Sequence, residues 1–225
     1  MNRPAFLHCD RSLAIECRLA QCCDSLWSSI VTISTGAVAA LAATSEGAQL
    51  ALQFDRTAIG EGQVWRIVTG HLVHWSTNHF LWDAVMFGVL GAVCERADRR
   101  RYVACLLGSA VVISAAIAGL LPDTILYRGL SGVDSALFIL ASVVWLRGAW
   151  RDRNLAFATV VVIALAGFIG KLVYEVTTGA TLFVDSAGAG FVPLPLAHAV
   201  GAAVGAAVAF APGSIDQDVP DNDDL

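Results

Sequence analysis

Charge is scarce in this chain, and that scarcity excludes more than any other feature. Only 15% of its 225 residues are Asp, Glu, Lys or Arg, against about 25% in a typical soluble domain. The net charge of −5 says little about partners, because the acids cluster at the C-terminus. Asp216, Asp218, Asp221, Asp223 and Asp224 read as a solvated, disordered tail over 212–225. No basic stripe is present, so nucleic acid is not an expected partner. No Cys-x-x-Cys pair occurs, and the motif His-Glu-x-x-His is absent. Those absences argue against a zinc site among Cys9, Cys17, Cys22 and Cys23, and against a metal-dependent enzyme built on His74, His79 and Asp83. No cofactor and no metal are expected.

What is present is apolar: 56% of the residues are hydrophobic, and 20 are glycines. Small residues let helices approach closely within a bilayer. The length suits one domain. Leu26 to Ser45 is a charge-free run long enough to span. Ala40-Leu41-Ala42 loosely resembles a signal-peptide cleavage site, but the polar lead-in is too long and mixed for that reading. Glu46 to Gln63 reads as a connecting loop. Further spans are expected over Ser76–Cys94, Tyr102–Pro122, Ser131–Leu146 and Leu155–Val176, and within Ser186–Ile215. The expectation is therefore an all-α membrane protein, a six-helix bundle over residues 26–211, after a cytoplasmic segment over 1–25.

Arginine placement orients it. With six spans, ten of the 14 basic residues fall on the side of the termini, including Arg96, Arg99, Arg100 and Arg101. Arg56, Arg66, Arg128 and Lys171 fall on the other. That bias predicts cytoplasmic termini. All six cysteines then lie on or near the reducing side, where free thiols are expected. Trp27, Trp65, Trp75 and Trp150 read as interfacial belt residues.

Two polar residues stand where a lipid-facing helix would not place them without a use. Ser131 lies in Tyr-Arg-Gly-Leu-Ser-Gly at the start of the fourth span, and His198 lies in Ala-His-Ala-Val-Gly within the sixth. Both helices enter from the same side. If the sixth starts near Val192, His198 is about 9 Å below its mouth. Gly201 and Gly205 share a face with His198, and packing against Gly129 and Gly132 would bring Ser131 to the imidazole. A serine so paired is a usable nucleophile. His79 and Asp83, four apart, share one face of the second span at the same level. The Ser131 N–H and the His79 side chain are the candidate oxyanion donors.

These elements together resemble the rhomboid family of intramembrane serine proteases. The chain carries the Trp65-Arg66 pair, the run His74, His79 and Asp83, then Gly-x-Ser-Gly at Gly129 to Gly132, and Ala-His-x-x-Gly-x-x-x-Gly at Ala197 to Gly205. The resemblance implies a Ser131–His198 dyad with no required third acid. Gly-His-Leu-Val-His and Tyr-Arg-Gly-Leu-Ser-Gly are similar to the rhombosortase branch, whose substrates carry a C-terminal Gly-Gly sorting signal, a transmembrane helix and a basic tail. The resemblance thus implies single-span membrane proteins as substrates, and the multi-pass setting of a bacterial inner membrane.

One departure stands out. The position of Asp83 is usually asparagine in the family, and an ionised carboxylate would repel an oxyanion. A neutral, buried Asp83 would instead donate one hydrogen bond. An inactive rhomboid-like protein that binds membrane clients is therefore the alternative function. Blander roles exist for each residue: Ser131 as a helix N-cap, His198 as an interhelical hydrogen bond, His74 and His79 as packing residues. His71 reads as a surface polar residue, Asp134 as a first-turn acid meeting the helix dipole. Lys171 and Glu175 read as a structural i,i+4 pair.

Overall fold

Helices form wherever the sequence has a long apolar run. A computed structural model of the chain describes residues 28–181 and 193–212. The long helices are α1 (Ile30–Ala43), α5 (Thr77–Ala97), α6 (Arg99–Leu120), α7 (Ser131–Arg151), α8 (Leu155–Thr178) and α9 (Pro195–Ala209). Between α1 and α5 come α2 (Glu46–Leu52), β1 (Phe54–Asp55), α3 (Arg56–Gly60), α4 (Arg66–Thr69) and a tight turn at Gly70–Leu72. The strand β2 (Leu126–Tyr127) pairs antiparallel with β1, Phe54 opposite Tyr127. The expected N-terminal segment, the acidic tail from residue 213 and the first part of the sixth run lie outside the described residues.

Three helices, α6, α7 and α8, are long and apolar enough to cross a membrane, or four spans if α1 and α2 count as one path bent by 120°. The shortfall from six has a physical cause in the other two. α5 carries Asp83, Glu95 and Arg96 in its 21 residues. α9 has only 15 residues, about 22 Å of helix against a hydrocarbon layer about 30 Å thick. Large apolar side chains such as Val160, Ile163, Ile169 and Val173 on α8 lie exposed, as expected of lipid-facing positions.

The segment from Glu46 to Gln63 is not the plain loop expected. Ser45 Oγ accepts the Ala48 N–H at 3.3 Å and starts α2. Asp55 Oδ1 accepts the N–H groups of Thr57 and Ala58 at 3.0 and 3.1 Å and starts α3. Both are N-cap signals that satisfy otherwise orphaned donors. The Trp65-Arg66 pair closes the segment. Arg66 donates to the carbonyls of Leu50 and Gln53 at 2.8 and 2.9 Å, and Trp65 Nε1 reaches Ala51 O at 3.3 Å.

Charged groups elsewhere do the same job. Arg56 donates to the carbonyls of Ile117, Ala118, Leu121 and Thr124 at the end of α6. Arg101 donates to Val208, Ala209 and Ala211 at the end of α9. Cations suit helix C-termini, whose last carbonyls have no partner within the helix. The converse device ties α1 to α5: Glu95 accepts the N–H groups of Val31 and Thr32 at 3.0 and 2.8 Å, at the start of α1.

His71 is buried rather than superficial. Its Nε2 lies 3.0 Å from the Ala110 carbonyl and 3.1 Å from Ser114 Oγ, anchoring the turn to α6. Burial pulls the imidazole down from 6.5 to about 4. The unfolded chain therefore takes up a proton near pH 6.5 that the fold refuses until about pH 4. This contribution to stability is complete above 6.5 and disappears as the pH falls toward 4, a loss on the order of 3 kcal/mol. Thermal unfolding in detergent should show it, and His71→Gln should have a visibly flatter dependence over that window.

The most extensive helix pairing joins α7 to α9. A Cβ built on Gly201 would land on the Gly132 carbonyl, and one on Gly205 would land on the Ala136 carbonyl. A Cβ on Gly132 would sit 3.0 Å from Ala197 O. The two backbones therefore touch with no side chain between them, as small-xxx-small faces permit. Gly201→Ala must push α9 off α7, because a backbone carbonyl cannot move aside as a side-chain tip can. We expect a loss of at least about 1–3 kcal/mol, read as a lower melting temperature.

Candidate active site

The turn before α7 aims Ser131. Gly129 adopts φ +132°, a conformation that side-chain-bearing residues rarely tolerate. A Cβ there would also sit 2.9 Å from His79 Cε1. Tyr127 Oη donates to the Gly129 carbonyl at 3.0 Å, and the Gly129 N–H donates to Gly70 O at 3.3 Å. No side chain caps the start of α7. The leading N–H groups of its first turn, that of Ser131 among them, have no intrahelical acceptor, and the positive end of the helix dipole lies with them.

α9 delivers the second residue. Pro195 begins the helix, a position that suits a residue without an N–H, and His198 follows within the first turn. Ser131 Oγ and His198 Nε2 are 3.0 Å apart. The other ring nitrogen, Nδ1, lies 2.7 Å from Glu175 Oε2 on α8. Glu175 is 1% exposed and holds Lys171 Nζ at 2.7 Å through its second oxygen. The pair that reads from sequence as purely structural thus touches the histidine.

Across the site, α5 starts at Ser76, whose Oγ accepts the His79 N–H at 3.2 Å. Asp83 Oδ2 accepts the Leu130 N–H at 2.9 Å and lies 3.2 Å from Nε2 of both His74 and His79. The two imidazoles meet edge to face at 5.1 Å. Burial holds His74 below its usual range, with the Asp83 contact opposing that shift. Asp83 Oδ2 is thus placed as an acceptor beside three groups, where the sequence alone offers a donor only if the carboxyl is neutral.

A cavity of about 860 Å³ connects these residues and runs between α5, α7 and α8. Ser131, His79, Asp83 and His198 line one end, while Trp82, Met86, Phe138 and Phe168 give the rest an apolar wall. Asp134 also lines it; the residue is 7% exposed and neither carboxyl oxygen has a hydrogen-bond partner among the described residues. Ser131, His198 and uncapped helix N–H groups open on an apolar slot.

The rhomboid domain, as a family, matches residues 61–214, which include every residue of this site. The chain belongs to the rhomboid family. No individual curated protein matches it. Members of the rhomboid family are generally serine intramembrane proteases, and the apolar helices agree with an integral, multi-pass membrane protein.

Within this rhomboid domain the sequence-derived candidates Ser131, His198, His79, Asp83, His74, Gly129, Gly132, Gly201 and Gly205 gather around one cavity end and the α7–α9 contact that supports it. Among the described residues no cluster of His, Cys, Asp and Glu is arranged to hold a metal ion. Sequence reasoning missed two contributors. Glu175 gave a signal, since a carboxylate in a long apolar helix needs a partner. Arg128 gave less: it bonds Gln53 Oε1 at 2.9 Å and Gln49 Oε1 at 3.1 Å and covers the Trp75 ring at 4.6 Å.

Removing Asp83 should cost more than changing it. Asp83→Ala leaves the Leu130 N–H and two imidazoles without their shared acceptor, a loss of about 3–5 kcal/mol. Asp83→Asn keeps a carbonyl oxygen for Leu130 and should lose clearly less. Melting temperatures of the two variants in one detergent check this; equal losses would dismiss the shared-acceptor role.

Proposed function

We propose that this rhomboid is an active intramembrane serine endopeptidase, and the observation that carries the reading is the 3.0 Å contact of Ser131 Oγ with His198 Nε2. Ser131 Oγ attacks the scissile carbonyl as His198 Nε2 takes its proton. The tetrahedral oxyanion is held by the Ser131 N–H at the positive end of α7, with His79 at its side. Asp83 orients His79 and His74 and ties down the Leu130 N–H. Collapse breaks the C–N bond, and the leaving amine takes the proton from His198. Water then attacks the acyl-enzyme by the same path in reverse.

The substrates of this reading are single-span membrane proteins. Their helix end enters between α5 and α8, past Trp82, Met86 and Phe168, and unwinds at the serine. The cavity's apolar wall supports that choice. A C-terminal Gly-Gly sorting signal, as in the rhombosortase branch, suits such a site, because glycine disfavours helix by about 1 kcal/mol per residue and brings no side chain to the narrow end. The full proposal has six helices crossing a bacterial inner membrane, both termini in the cytoplasm, and the site near the outer face. The arginine bias supports it. An inactive client-binding protein is not favoured; only Asp83 speaks for it.

A fluorophosphonate probe tests the reading directly. Wild type should label covalently, Ser131→Ala not at all, and His198→Ala at least about 100-fold more slowly. A folded wild type that stays unlabelled would sink the protease reading.

A further inference from the structure

One cluster stands outside the two-residue mechanism: the Glu175–Lys171 pair on α8, beside His198. We infer that Glu175 is a positioning residue that completes a Ser131–His198–Glu175 triad, with Lys171 fixing the carboxylate. The inference rests on the protease reading above and adds a third member to it.

Three observations carry it. Glu175 Oε2 is 2.7 Å from His198 Nδ1, a distance typical of a charge-assisted hydrogen bond. Glu175 Oε1 is 2.7 Å from Lys171 Nζ, so the two oxygens serve different partners. Lys171 Nζ is itself 3.3 Å from His198 Nδ1, which makes the three groups one unit. Paired with an ammonium, the carboxylate can only accept. Nδ1 must then carry the ring proton, which leaves Nε2 bare and facing Ser131 Oγ at 3.0 Å. That tautomer is the one a general base needs.

The step balances without a further reagent. The Oγ proton passes to Nε2 as the Oγ–C bond forms, the imidazolium keeps its Nδ1–H on Glu175, and the same Nε2 proton leaves with the amine. Glu175 gains no proton at any stage. An i,i+4 ion pair on the helix surface would contribute only about 0.3–0.5 kcal/mol, too little to explain a carboxylate held 1% exposed. Contact with the base explains its burial.

The test compares fluorophosphonate labelling rates over pH for wild type, Glu175→Gln, Glu175→Asp and Lys171→Met. The other titratable groups on the cavity are Asp134 on α7, His79 and Asp83 on α5, Tyr127 on β2, and Asp123 and Arg128 in the loops on either side of β2. The titratable residues of α6, Arg99 to Arg101, Tyr102 and Cys105, lie at its other end. Glu175→Gln should label on the order of 10² slower or more. Its rate should also rise with pH through a lower midpoint, because the imidazolium has lost its anion. Glu175→Asp should restore part of the rate, and Lys171→Met should fall between.

A merely structural Glu175 would leave the midpoint unmoved, and that result with a labelled wild type would overturn the triad while sparing the dyad. An unlabelled wild type would remove both. Should Glu175→Gln fail to fold, 15N-histidine spectra of the wild type decide instead. A His198 ring protonated at Nδ1 is expected; protonation at Nε2 alone overturns the proposal.

Discussion

The backbone contact between α7 and α9 is the constraint on which the rest depends. Ser131 is the first residue of α7 and His198 lies in the first turn of α9. Each side chain spans only a few ångströms, so their 3.0 Å contact requires the helix axes to be closer than ordinary side chains permit. Gly132, Ala136, Gly201 and Gly205 supply that closeness by removing volume. Without a strong hydrophobic drive between helices in lipid, such fits hold a bundle together largely by dispersion. The same four small residues therefore serve stability and chemistry at once.

Polar groups are placed by the opposite rule: each must find a partner inside the protein, because hydrocarbon offers none. Arg56, Arg66 and Arg101 each close the carbonyl end of a helix, while Glu95 closes the amide end of α1. The start of α7 has no side chain capping it, and neither has that of α9. An uncapped helix start within a mostly satisfied structure is a donor site held in reserve, and Ser131 sits on it. Asp134, on the same turn, is a buried carboxyl with no hydrogen-bond partner among the described residues. Ser131 and Asp134 both line the same cavity.

How much of this was legible in the sequence varied with distance along the chain. Ser131, His198 and the Gly201–Gly205 face could be read, because glycine spacing and a misplaced polar residue are local signals. The family resemblance rested on those same motifs, and the match over residues 61–214 agrees with it. The short helices between α1 and α5 were missed, although Ser45 and Asp55 are ordinary caps, because their apolar content is too small to show periodicity. His71 was misjudged, since only the fold brings Ala110 and Ser114 to it. The comparison of Asp83 with asparagine leaves open whether it donates or repels, whereas its place as an acceptor depends on where the Leu130 N–H points. Nothing local to α8 says which way Glu175 faces.

That last point bears on how the site is assembled. α7 packs against both α5 and α9, and α6 packs against all three with Ile113 and Ile117 fully buried. α8 is different: most of its length is exposed, and only Ala158, Val161 and Glu175 are buried along it. It also forms one wall of the cavity. The contact of Glu175 with His198 therefore joins a largely exposed long helix to one held by backbone contact with α7. A hydrogen bond of 2.7 Å loses most of its strength within an ångström of displacement. In the triad proposed above, the position of α8 and the tautomer of His198 are consequently linked: Nε2 faces Ser131 with the ring proton on the far nitrogen only while α8 is seated against α9. In the proposed peptidase, a substrate helix entering beside α8 would pass on the side away from Glu175, along Ala164, Gly167 and Phe168, where the wall is apolar and offers no rival hydrogen bond.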